Sequence, residues 1–156
     1  MIYVGIDPGV GGGIAFLDDV GAIVYVGKMP ETDRDIWDCL ETAGGMRSDP
    51  RPMRCAIERV NPGVFGRPGA KMGVVSAFTF GGGYRALKMA LTGLRIPFDE
   101  VLPVKWQTAM QCRTRGDKNV SKTRAQQVFP SAKVTHAVAD ALLIAEYCRR
   151  VKTSQL

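Results

Sequence analysis

Each of three acids in this chain stands where an apolar run ought to continue. IYVGID reads as a strand and ends at Asp7, RCAIE reads as another and ends at Glu58, and in THAVADALLIAEYC Asp140 sits on the apolar side of a helix. An ionised carboxylate in low dielectric is costly unless it is paired or coordinated, so three such placements in one small fold ask for a shared explanation. A divalent cation supplies one. The plainer alternatives are a turn aspartate before proline at Asp7, an exposed helical acid at Asp140, and an ion pair of Glu58 with Arg59 or Arg54.

The rest of the chain limits what such a site can belong to. With 156 residues, 46% of them hydrophobic, residues 1–156 fit one domain able to bury its own core. No apolar run reaches the roughly 18 residues of a membrane span, and the N-terminus reads as a strand rather than a leader, so a soluble, unexported protein is expected. Cys39, Cys55, Cys112 and Cys148 form no Cys-x-x-Cys pair and stand beside a single histidine. That pattern argues against zinc and for reduced thiols in the cytoplasm. The net charge of +6 is regional: residues 1–50 hold three basic and nine acidic side chains, and the remainder hold eighteen and six. A field of that kind favours a polyanion such as nucleic acid.

Periodicity and turn signals order the elements. Residues 2–7, 14–17 and 22–26 read as strands, joined by the glycine-rich turn Pro8 to Gly13 and by a hairpin at Asp18-Asp19-Val20-Gly21. Residues 33–43 have helical spacing with Gly44-Gly45 as a stop, and 53–58 form the fourth strand. The segment 59–70 holds two Pro-Gly steps and no period, which makes it a long exposed loop. Residues 74–91 read as a helix with Val75, Phe78, Leu87 and Leu91 on its buried face. The triplet Gly81 to Gly83 within it implies close packing against another backbone, since glycine costs about 1 kcal/mol per helical position. A fifth strand (97–102), a short helix (104–110), a basic loop (111–120), a helix capped by Ser121 and ending near Val128, and a last helix (136–150) complete the chain. The expectation is an α/β fold, a five-stranded mixed sheet with helices on both faces.

Taken together, GIDPGVGGGIAF, AIERV, PVKWQ, the Ser-Lys-rich helix ending in FP, and HAVADALLIAEY resemble the RuvC-type Holliday junction resolvases, and more closely their bacteriophage branch. The resemblance covers nearly the whole chain and implies the ribonuclease H-like fold. It implies a structure-selective endonuclease, a homodimer that binds a four-way DNA junction and makes paired nicks with two Mg²⁺ or Mn²⁺ ions per subunit. A phage-encoded member would act in the cytoplasm of its bacterial host. Asp7, Glu58 and Asp140 map onto the metal-binding acids. The resemblance also points to Lys105 and a lysine of the segment Lys118 to Lys122 as phosphate contacts. It implies an aromatic wedge in the loop after Glu58, which fits Phe65 stacking on an unpaired base, with Arg67 and Lys71 beside it. Arg113, Arg115 and Arg124 add to the basic surface.

One position departs from the pattern. Relatives carry an acid or histidine three residues before the last aspartate, where this chain has Ala137. Either His136, at i,i+4 from Asp140 and on the same helix face, replaces the missing ligand, or a catalytic acid has been lost and the chain binds junctions while cutting them poorly. Oxygen ligands suit Mg²⁺ or Mn²⁺, and an imidazole tilts the preference to Mn²⁺. Two metals about 4 Å apart would activate water and hold the leaving oxygen of the phosphodiester. Asp-Pro-Gly with a glycine-rich turn also opens actin-like ATPases and sugar kinases, but those need a second phosphate loop and about twice this length.

Overall fold

A computed structural model of the chain describes residues 1–43, 51–60, 73–113 and 117–153. Its centre is a five-stranded sheet in the order β3-β2-β1-β4-β5. The strands are β1 (Ile2–Asp7), β2 (Gly13–Leu17), β3 (Ile23–Lys28), β4 (Met53–Glu58) and β5 (Phe98–Val101). The first three pair antiparallel, while β4 runs parallel to β1 and β5 parallel to β4. The hairpin predicted between β2 and β3 is present. Asp18 Oδ1 accepts from the N–H groups of Val20 and Ala22 at 3.1 and 2.7 Å, which is the local turn chemistry that aspartate favours.

The period of two sorts side chains onto opposite faces. Ile2, Val4 and Ile6 of β1, with Cys55 and Ile57 of β4, pack under helices α1 (Asp33–Ala43) and α2 (Val74–Gly93). Thr32 opens α1 as a reciprocal cap, taking the Asp35 N–H and donating to the Asp35 carboxylate. On the other face lie Tyr3, Ala15, Leu17 and Ala56, covered by α3 (Pro103–Ala109), α4 (Lys118–Val128) and above all α5 (His136–Thr153). This is the mixed sheet with helices on both faces that the sequence predicts.

Helix α5 lies unusually close to β1. A methyl group added at Gly5 would overlap the backbone of Ala141 and Ala145, and one at Gly13 would press on the Ala137 carbonyl. Glycines on the strands and alanines at 137, 141 and 145, one helical turn apart, therefore set the separation of helix and sheet. The far end of α5 is tied down by buried Glu146, which takes Arg149 and Arg150, while Arg149 also donates to the Asp19 carbonyl at 3.3 Å.

Helix α2 departs from expectation in its first half. Leu87 and Leu91 are buried, as predicted, but Val75 and Phe78 are 79% and 84% exposed. Nor do Gly81, Gly82 and Gly83 pack against another backbone: a methyl group on any of them would meet open space. The helix outruns the sheet, so its N-terminal turns have no apolar surface to cover within the described chain. A second correction concerns α4. It begins at Lys118 rather than Ser121, capped by Asp117, whose carboxylate takes the Asn119 N–H at 2.9 Å. Ser121 is buried inside the helix instead. The last helix runs on to Thr153, beyond the predicted end.

Candidate active site

Strand parity and register bring the first two acids together. Asp7 shares its face with Tyr3 and Gly5, and Glu58 shares the same face with Ala56, so both side chains emerge on the α5 side of the sheet. Ile6 pairs with Ile57 in the parallel ladder, so one step further places Asp7 beside Glu58, on strands about 4.8 Å apart. Asp140 comes from the first turns of α5, which the Gly5 and Gly13 contacts hold against the same end of β1 and β2.

The three carboxylates feel one another. Burial raises Asp7 well above the ordinary aspartate range, and the negative charges of Glu58 and Asp140 push it further, while Lys118 draws it back. Glu58 is pushed up to about 7 by burial, against the pull of a hydrogen bond from Trp106 and with a further push from Asp140. Asp140 is raised mainly by burial, opposed by the neighbouring Ser121 hydroxyl and by the charges of Lys118 and His136. Each acid thus has an unmet demand for positive charge. Among the described residues the three do not close into a ready-made cage of metal ligands. They do fit an oxygen-liganded cation: Asp140 Oδ1 is buried without a hydrogen-bond partner, and the donor set is all carboxylate.

Three side chains around the acids carry no signal of a site in the sequence. The indole of Trp106, itself fully buried, donates to Glu58 Oε2 at 2.7 Å. A buried tryptophan needs an acceptor, but nothing in the chain says which one it finds 48 residues away. Ser121 lies beside Asp140 and donates within its own helix to the Lys118 carbonyl at 3.3 Å. Asn119 Oδ1 lies 3.0 Å from His136 Nε2 and ties the start of α5 to α4. His136 is therefore engaged with Asn119, although its charge reaches Asp140.

Of the predicted phosphate contacts, Lys118 is exposed beside the acids and Lys122 is half-buried on the same helix. Lys105 instead lines a recess of about 300 Å³ with Asp99, Glu100 and Tyr147. Arg124 is occupied locally, donating to the Met110 carbonyl at 2.8 Å. Phe65, Arg67, Lys71 and Arg115 lie outside the described residues. All four cysteines are free, and three of them are buried. No helix among the described residues is long and apolar enough to cross a membrane.

No family model and no curated protein matches the sequence. Solved structures do match in shape. RuvC from Thermus thermophilus in complex with Holliday junction substrate aligns with a TM-score of 0.65 and 18% sequence identity, covering 98% of this chain and 96% of that one. A second Thermus thermophilus RuvC structure aligns with a TM-score of 0.62 and 18% identity, covering 99% and 97%. Over nearly its whole length, then, this chain has the ribonuclease H-like fold of RuvC.

Proposed function

We propose that the protein is a structure-selective endonuclease of the RuvC type, from the bacteriophage branch, that cuts four-way or otherwise branched DNA by metal-dependent phosphodiester hydrolysis. The observation that carries this reading is the group Asp7, Glu58 and Asp140: three carboxylates from distant segments, desolvated and mutually repelling at one end of the sheet. Buried carboxylates that repel one another cluster at functional sites, and a cation would neutralise them. The solved RuvC structure of the same fold carries a Holliday junction, and the basic excess beyond residue 50 suits DNA.

Asp7, Glu58 and Asp140 would hold the cations, Asp7 being the acid that feels the charge of both others. Bound there, Mg²⁺ or Mn²⁺ would supply an activated water and neutralise charge on the phosphorane and the leaving oxygen. The chain's own residues do the rest. Trp106 fixes the orientation of Glu58, and Lys118 presents a cation to the phosphate. The segment with Phe65 and Arg67, and Lys71 near it, is the proposed probe of the crossover, with Lys105, Arg115, Lys118 and Lys122 holding phosphates.

Paired cuts need two sites related by a two-fold axis. A homodimer through the exposed turns of α2, around Phe78, supplies both that symmetry and a cover for the apolar surface.

A synthetic four-way junction tests the reading. Symmetric paired nicks with Mn²⁺, and none with EDTA, are expected. Junction binding without cleavage would favour the second reading, a binder with little activity. Ala137, which brings no carboxylate, and His136, already engaged by Asn119, are what support that alternative. On it, Ala137→Asp raises cleavage by roughly 10- to 100-fold, and an unchanged rate removes it.

A further inference from the structure

Helix α2 presents Phe80, Tyr84 and Lys88 at i, i+4 and i+8, a single stripe on one side of the helix. The rings of Phe80 and Tyr84 stack with centroids 6.5 Å apart, and Lys88 Nζ lies 5.6 Å from the Tyr84 ring. Tyr84 donates to Glu100 Oε2 at 2.7 Å, and Lys88 pairs with the other oxygen of the same carboxylate.

What the stripe touches is specific. Phe80 lies against Gly9, where a methyl group would stand 3.1 Å from its ring and where φ is +114°. The backbone N–H of Val60 faces the Tyr84 oxygen. Gly9 is two residues beyond Asp7, and Val60 is two residues beyond Glu58. Two neighbouring turns of one helix thus grip the exits of the two acid-bearing strands. They do so from the face opposite α5, toward which the carboxylates themselves point.

We infer that Phe80 and Tyr84 are positioning residues for Asp7 and Glu58, fixing the distance between the two carboxylates by clamping the backbone just past each. Glu100 and Lys88 lock the Tyr84 hydroxyl in the donating orientation toward β5, which keeps its oxygen turned to the Val60 N–H. The inference rests on the metal-dependent reading of the acids above. None of the four residues would touch DNA or cation.

The two tryptophans provide a reporter that needs neither metal nor DNA. The Trp106 indole is bonded to Glu58, whereas Trp37 packs at Gly93, far along α2. In EDTA, Tyr84→Phe and Phe80→Ala should each displace the Trp106 indole N–H resonance and leave that of Trp37 in place, with Phe80→Tyr close to the parent. The Mn²⁺ concentration giving half-maximal thermal stabilisation should rise about tenfold, the usual cost of losing a group that orients a ligand. Turnover on a four-way junction should fall by a similar factor at unchanged KM, with junction affinity in EDTA unaltered. A Trp106 resonance and Mn²⁺ midpoint that stay at parental values in both variants would overturn the inference and reduce the stripe to a brace. A loss of junction affinity parallel to the loss of turnover would overturn it too, since the stripe would then act through DNA. If the parent neither cuts DNA nor takes up Mn²⁺, the nuclease reading fails by itself, and the indole resonance still decides the positioning role.

Discussion

At Glu58 two influences oppose each other, and burial wins over the Trp106 hydrogen bond, leaving the carboxyl at about 7. An acid whose folded-state pKa lies above its ordinary value keeps a proton that the unfolded chain has released, so it removes stability as pH rises between the two values. Here the window runs from 4.5 to about 7. Without divalent cations, Glu58→Gln should therefore gain about 3 kcal/mol over the parent at pH 8, and about 1 kcal/mol or less at pH 5. Urea titrations at the two pH values check this; equal gains at both would mean that the site does not penalise the charge. Mn²⁺ should reverse the order at pH 8, stabilising the parent more than the variant. Asp7, Glu58 and Asp140 were legible in the sequence because each breaks an apolar pattern. Trp106 and Ser121 were not, because a donor is matched to its acceptor only by the fold, and a serine before a helical run reads equally well as a cap.

Element by element, α5 is where a local pattern and its purpose come apart. ADALLIAEY announces a buried helix, but the reason for alanine at 137, 141 and 145 appears only when the helix is laid on Gly5 and Gly13. Gly5→Ala should cost about 2–4 kcal/mol by forcing the helix off the strand, and with it weaken Mn²⁺ binding, because Asp140 rides on α5. Calorimetry with and without Mn²⁺ would register both effects; a loss of stability with the Mn²⁺ response intact would separate the packing from the site. In α2 the same residue type behaves in the opposite way. Gly82 faces open space, so Gly82→Ala should stabilise the folded subunit by about 0.5–1 kcal/mol through helix propensity. If the triplet serves close approach of a second α2, the same change weakens dimerisation, which concentration-dependent melting would reveal. The buried face of α2 was only half legible from its spacing, because a periodic apolar stripe does not say where the sheet beneath it stops.

For the whole molecule the governing quantities are charge distribution and symmetry. The basic excess lies beyond residue 50, and Lys118 brings it to the acids. Lys118→Ala should weaken junction binding and lower the slope of log affinity against log salt by about 1, read from binding isotherms at several salt concentrations. An unchanged slope would place Lys118 outside the phosphate contacts. Phe78, 84% exposed, contributes nothing to the described core. Phe78→Asp should therefore leave the melting of the subunit intact, convert a dimer to a monomer in sedimentation equilibrium, and turn paired nicks into uncoordinated ones. A variant that stays dimeric would move the interface elsewhere. The order of elements, the two-faced alternation of β1 and β4, and the three acids can be read along the chain, since each is written in local periodicity and in its interruption. It took the fold to run β1 and β4 side by side in a register that sets Asp7 next to Glu58, to bring Trp106 to Glu58, and to leave the first half of α2 without an apolar cover among the described residues. Those are matters of which segments meet, and pairing between distant segments is settled by packing rather than by any pattern along the chain.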